Sequence, residues 1–425
     1  MSMSRCRRLA LLGGCLLGMP ILAFGQVQTL LTLQAAIDRS LSGNPELKAF
    51  GYELTAQEAR IEQASARAPM EMGMMVENVL GTGAHSGVKA AETTLTLGWL
   101  LERSARERRV DVAQAGLSVL QDDARVKRLD VAAETARRYL EVLRLQQQLV
   151  ETRQASALAE ETQRAVQIRV EAAKAPDAES ARAYSQLARA RLDEEQVEHE
   201  LQTAKLRLTA LWGQSASTSA SSTLVIAGDL LILPPLRDFE SLRTQLQQNP
   251  ELLHLVTTQR LREAEIKLAE SRRRLPWQVN VGVRRLEASD DQALIAGMTI
   301  PFGNPAASQG AVKLARAQAA QTLAQTESLN VQLGVELFAL YQDLKHAYTA
   351  VDSLRDEVLP RMNEAMEQSR YAYERGRYSY MEWVAAQREL TEMRRALLEA
   401  AANAHRYRIE IERLTGAALT QLDTP

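Results

Sequence analysis

The residues best suited to chemistry in this chain are five histidines, two cysteines and one dense charged and aromatic stretch, YERGRYSYMEW (373–383). His85, His199, His254, His346 and His405 do not cluster at ligand spacing, and none has a second His four residues on. A metal centre on a helix face needs such pairing. Neither a phosphate loop nor a nucleophile elbow occurs, so no catalytic residue, no bound metal and no cofactor is expected, and the chain does not read as an enzyme. What remains is electrostatic. Glu382, and Glu179 in the earlier half, are carboxylates beside predicted helical turns, and rings of acids favour cations. The plainer reading of each is a solvated acid at a helix end. Arg375, Arg377, Tyr378 and Tyr380 surround the second turn, where they could bond neighbouring helices or touch a partner; a generic polar turn is the alternative.

The elements that must hold these residues are written twice. NPEL occurs at Asn44–Leu47 and again at Asn249–Leu252. Asn caps a helix, Pro suits its first position, and Glu meets the positive end of the dipole. After each NPEL a helical pattern runs to Pro69 or Pro276. The period then changes from 3.6 to 2, as in strands. Met70, Met72, Met74, Val76 and Leu80 share one parity, with Asn78 the exception; Leu95, Leu97 and Trp99 alternate with Thr94, Thr96 and Gly98. In the second half Trp277, Val279, Val281 and Val283 alternate with Gln278, Asn280, Gly282 and Arg284, and Leu294, Ala296, Met298, Ile300 and Phe302 follow. Each strand is about long enough to cross a membrane, although a half-buried hairpin would show the same alternation.

Very long helices follow each hairpin. Glu102 to Ala175 contains no Pro, and a second long stretch runs from about Ala306 to Arg375, with Pro360 expected to bend it. A helix of 70 residues spans about 105 Å, which requires neighbours along its whole length, as in coiled coils. The halves also end alike, Arg207-Leu208-Thr209 before Trp212-Gly213 and Arg413-Leu414-Thr415 before Gly416.

Composition bounds the rest. A net charge of −2 over 425 residues gives no basic field for nucleic acid. Arg5, Arg7 and Arg8 precede an apolar run from Leu9 to Phe24, and Ala23-Phe24-Gly25 suits cleavage, so residues 1–25 read as a secretory signal. Cys6 and Cys15 both lie within it, which leaves the mature chain without thiols; Leu12-Gly13-Gly14-Cys15 is a faint lipoprotein-like alternative. The expected divisions are a first repeat at 26–212, an inter-repeat segment at 213–237, a second repeat at 238–416 and a tail at 417–425.

The segments ENVLGTG (77–83), AAETTL (90–95), RRLEASDDQALIAGMTIPFGNPAASQG (284–310) and YERGRYSYMEW together resemble the TolC-type outer membrane efflux family, and within it the CzcC-like branch serving heavy-metal exporters of the RND type. The resemblance covers nearly all of the mature chain. It implies a mainly α fold with a β part: a homotrimer whose protomers each give four strands to a 12-stranded outer membrane barrel in lipid, with the helices forming a long periplasmic tunnel. It also implies a periplasmic adaptor and an inner-membrane RND pump as partners. A duct of the same fold for drugs or secreted proteins is the alternative, and a poreless periplasmic coiled-coil scaffold is the third reading. By this resemblance Glu382 and Glu179 lie at the tunnel entrance, and Ala173, Lys174, Pro176, Gly376 and Ser379 at the tips. Ala173 departs from the family's tip glycine, with Pro176 expected to supply the turn instead, and Ala385 stands where a second entrance acid is usual. Trp99, Trp277 and Phe302 are expected to form an aromatic belt at the periplasmic rim.

Overall fold

The computed structural model describes residues 30–214, 224–273, 275–302 and 306–418. The expected signal segment with its cysteines (within 1–29), the start of the inter-repeat segment (215–223) and the end of the tail (419–425) lie outside the described residues.

The two repeats have one element order. Helices α1 (Leu33–Gly43) and α2 (Pro45–Ser65) lead to strands β1 (Glu71–Glu77) and β2 (Glu92–Leu101), then to α3 (Arg103–Glu171) and α4 (Asp177–Ala210). In the second repeat α5 (Phe239–Gln245) and α6 (Pro250–Ser271) precede β3 (Trp277–Leu286) and β4 (Asp291–Thr299). Helix α7 (Ala306–Ser353), a π-helical turn (Leu354–Val358) and α8 (Leu359–Glu374) together match α3, and α9 (Tyr380–Thr415) returns like α4. Unbroken, α3 has 69 residues and reaches about 100 Å. Its counterpart is interrupted because Pro360 has no N–H to give. The ladder widens there instead, and the Leu359 N–H bonds back five residues to the Leu354 carbonyl.

NPEL does more than start helices. The Asn44 Oδ1 accepts from the N–H groups of Glu46 (2.9 Å) and Leu47 (3.2 Å), while its Nδ2 donates to the Leu211 carbonyl at 3.0 Å. Asn249 repeats this, accepting from the Leu252 N–H at 3.0 Å and donating to the Leu414 carbonyl at 2.7 Å. Each asparagine therefore caps the first turn of one helix and closes the last turn of the returning helix in its own repeat. Both are buried. Gly213 and Gly416 follow those last turns with left-handed φ of 77° and 67° and pack on Pro45 and Pro250. That close approach explains why both halves end in glycine.

The inter-repeat segment is a packed belt rather than a free linker over its described part. One isolated parallel bridge, Ile226 with Leu31, ties it to the start of the first repeat. The Tyr139 hydroxyl lies 2.8 and 2.6 Å from the carbonyls of Leu31 and Ala227, the Tyr348 hydroxyl donates to the Pro234 carbonyl, and His405 Nε2 lies 3.0 Å from the Leu230 carbonyl. Leu230, Ile226, Leu143, Leu208 and Ala401 meet in the largest apolar core, at mid-length of the helices.

The four strands form one antiparallel sheet in the order β1-β2-β3-β4. Both of its outer strands leave open edges, and among the described residues no further strand covers them.

Candidate functional site

The candidate residues fall in two places, the sheet and the far ends of the long helices. In the sheet, register decides which side chains share a face. Thr94 pairs with Met75 and with Arg284; Leu95 pairs with Met74 and with Val283. Asn280 pairs with Gly98 and Gly297, and Val281 with Leu97 and Ala296. One face therefore carries Glu71, Glu77, Glu92, Thr94, Thr96, Gln278, Asn280 and Arg284. The other carries Met72, Met74, Leu95, Leu97, Val279, Val281, Val283 and Leu294. Apart from the half-buried Val279, these apolar side chains are exposed in the single chain, Leu294 to 84%. A soluble protein seldom leaves so broad an apolar surface uncovered.

Helices α2, α3, α6 and α7 join the sheet at one end. Leu101 pairs with Trp277 there, Trp99 with Val279, and Phe302 follows β4 at the same end. The β1–β2 and β3–β4 connections lie at the other. β1 stops at Glu77, short of Leu80, because Asn78 and Leu80 take left-handed φ of 58° and 55°.

At the far ends of the helices the turns pair up. Lys174 N–H bonds to the Arg169 carbonyl at 2.8 Å and Ala173 N–H to Val170 at 2.9 Å; Arg377 N–H bonds to Ala372 at 2.8 Å and Gly376 N–H to Tyr373 at 2.9 Å. These are the same helix-ending motif, whose central residue must be left-handed. Gly376 has φ 71°. Ala173 has φ 57° and so performs the turn itself, which corrects the expectation that Pro176 would supply it. Pro176 instead sits in extended backbone as the residue before α4. Ala173, Lys174, Pro176, Gly376 and Ser379 are all exposed at this surface.

Around these turns the structure separates residues that the sequence grouped. Arg375, Arg377 and Tyr378 are exposed, and the Arg375 guanidinium lies 4.5 Å over the Tyr371 ring. Tyr380 is buried, 2% exposed, among Val166, Ala183, Tyr373, Trp383 and Val384. Of the two expectations for it, contact with neighbouring helices or with a partner, the burial favours the first, because its ring fills the space where α3, α4, α8 and α9 meet. Burial raises its hydroxyl above the usual tyrosine range. Glu382 is fully exposed and completes a capping box: its carboxylate accepts from the Ser379 N–H at 2.7 Å and from the Ser379 hydroxyl at 2.9 Å. Those bonds hold the carboxyl below its ordinary value, so it stays charged. Glu179, half-buried, accepts from the Tyr373 hydroxyl at 3.2 Å.

Tyr373 and Arg169 are the residues that the sequence reading passed over. The Tyr373 ring stacks on Trp383 at 5.0 Å, and burial, reinforced by the neighbouring Glu179 charge, pushes its hydroxyl up to about 12. Arg169, on α3, donates to the carbonyls of Tyr373 (2.6 Å) and Glu374 (3.1 Å), and its guanidinium sits 4.6 Å over the Tyr373 ring. A cation at the negative end of α8 is favourable, and here it comes from the other repeat. The two tips of one protomer are thereby tied together. Nothing in the sequence spacing joins Arg169 to residues some 200 positions later. Among the described residues no three His, Cys, Asp or Glu side chains gather to hold a metal ion, and no helix is long and apolar enough to cross a membrane.

Residues 36–214 match the family described as outer membrane efflux protein. The chain is 25% identical over 390 residues to the cobalt-zinc-cadmium resistance protein CzcC of Cupriavidus metallidurans, covering 91% of this chain and 90% of that one. Its fold is similar to that of VceC from Vibrio cholerae (TM-score 0.75, 15% identity, 91% and 97% of the two chains), the outer-membrane channel OprN (0.74, 18%, 91% and 90%) and CusC (0.72, 17%, 91% and 92%).

Proposed function

We propose that the chain is a member of the outer membrane efflux protein family, which residues 36–214 match, and that it is the outer membrane duct of a three-part pump exporting heavy-metal cations. The observation that carries the cargo reading is the similarity to a cobalt, zinc and cadmium resistance protein over nine-tenths of both chains. The assembly is a homotrimer in which β4 of one copy pairs with β1 of the next, closing 12 strands with the polar face inward. Closure removes edges that lipid cannot satisfy. The partners are an RND pump in the inner membrane and a periplasmic adaptor that meets the tips through the exposed Lys174, Arg377 and Tyr378.

The duct performs no chemistry and supplies no energy. Its own contribution is a gate and a charge pattern. The Tyr373–Glu179 hydrogen bond and the Arg169 bonds to α8 hold the paired tips of each protomer in one arrangement. Opening the tunnel requires these contacts to break, and each is worth about 1–3 kcal/mol. Trp99, Trp277 and Phe302 lie at the headgroup level on the helical side.

Growth of a deletion strain on cobalt, zinc and cadmium tests the cargo. Metal sensitivity of the deletion strain that the wild-type chain reverses supports it; unchanged metal tolerance with new sensitivity to organic compounds would replace it with a drug duct. Glu382→Gln tests the entrance charge. Gln preserves the third position of a capping box, so the tip should stay as stable while single-channel cation preference falls. Unchanged preference would leave Glu382 with its capping role alone.

A further inference from the structure

ENVLGTG and AAETTL, on either side of the β1–β2 connection, and RRLE, whose Arg284 lies 190 residues after Thr94, are used by neither the tips nor the belt. The fold brings one charged residue from each to one point. Arg284 on β3 donates through Nη2 to Glu77 at 3.2 Å, through Nη1 to Glu92 at 2.9 Å and through Nε to the Thr94 hydroxyl at 3.0 Å. Asn78, held in its left-handed conformation, donates to the second oxygen of Glu92 at 2.9 Å. All four strand residues share the polar face. They lie at the end of the sheet away from the helices, next to the β1–β2 connection, at the outer mouth of the pore.

We infer that Glu77, Glu92 and Arg284 form a charge collar at the outer mouth, a cation-favouring exit site distinct from the tips. The inference rests on the pore reading above. Two carboxylates face one guanidinium, so the network keeps one net negative charge per protomer. Glu77 is the more exposed acid, 42% against 22% for Glu92, so it presents that charge to the lumen. Asp291, paired with Leu286 in the same register row as Glu77 and Glu92, adds a further carboxylate to that face. Arg284 has a double effect. It lets two acids stand side by side on adjacent strands without mutual repulsion, and it keeps the collar's charge low enough for cations to leave. A site that binds too tightly would hold the ion it should release.

Lanthanum block of the purified trimer in planar bilayers reads this collar, with the ion added to each side in turn. From one side only, Arg284→Gln should tighten block about tenfold and Glu77→Gln should weaken it about tenfold, since each shifts the collar by one charge per copy. Glu77→Gln keeps the Arg284–Glu92 pair, so it decides the matter if Arg284→Gln does not assemble. Wild-type block unchanged in Glu77→Gln from both sides would overturn the collar and leave the pore intact. Wild-type protein that gives no channel events would overturn the pore reading itself, and the collar with it.

Discussion

At the scale of single residues, two side chains stand in environments that ought to cost stability. Ala173 occupies a left-handed position that its repeat partner gives to glycine. A Cβ there is worth about 1 kcal/mol of strain. Ala173→Gly should therefore stabilise the first tip by about 1 kcal/mol, seen as slower exchange of the Lys174 amide; Gly376→Ala should do the reverse at the second tip. Exchange that is unaffected by either change would remove the strain argument. His405 is buried beside Arg408, with Asp229 near, and burial first and the Arg408 charge second pull its pKa down to about 4. The folded chain thus keeps His405 neutral where an unfolded histidine, titrating near 6.5, takes up a proton. The unfolded state binds more protons between those values, so the contribution is complete above about 6.5 and is lost as pH falls toward 4. The loss is on the order of 3 kcal/mol. Denaturant melts across this window should show it, and His405→Gln, which can still donate to the Leu230 carbonyl, should flatten that dependence. The sequence marked the tip positions well, because a YERGR turn and a Gly/Ala contrast are local signals. It could not show that Tyr380 is buried or that Arg169 crosses to the other repeat, since both depend on how four helices meet.

At the scale of elements, the duplicated NPEL is the clearest sequence signal, and its full role appears only in three dimensions. The cap is local and legible from Asn-Pro-Glu. The clasp onto Leu211 and Leu414 depends on where the returning helix ends, which no spacing rule states. The two roles separate by substitution. Asn249→Ala loses both and should cost about 2–3 kcal/mol. Asn249→Asp keeps a cap acceptor but cannot donate to the buried Leu414 carbonyl. If the clasp matters, Asp is nearly as destabilising as Ala in thermal unfolding; if Asp behaves as wild type, only the cap counts. Pro360 shows the opposite case. The sequence predicts a break in the long helix, and the break takes the form of one widened turn because α7 and α8 must keep the same neighbours as the unbroken α3. Strand alternation was readable for the same physical reason that register is strict: a slip of one residue would turn every apolar side chain to the other face.

At the scale of the whole molecule, the four-stranded sheet with two open edges and one apolar face is incomplete alone. The face assignment is tested by Val281→Arg and Asn280→Arg, neighbours on β3 with opposite sides. The first should impair assembly, at about 2–4 kcal/mol for an arginine near the bilayer midplane, while the second is tolerated; equal trimer yields from both would contradict the inward polar face. The central claim is that these edges pair between copies to close a pore. Met74, Leu95, Val283 and Leu294 lie in one register row, with Met74 on β1 and Leu294 on β4 at the opposite edges. The chain's only cysteines, Cys6 and Cys15, fall in the stretch read as a secretory signal, so Met74→Cys with Leu294→Cys gives a clean pair for a flexible bismaleimide on intact outer membranes. The account predicts a denaturing-gel ladder of one, two and three linked chains that ends at three. Links confined within single chains, or a ladder running past three, would contradict it.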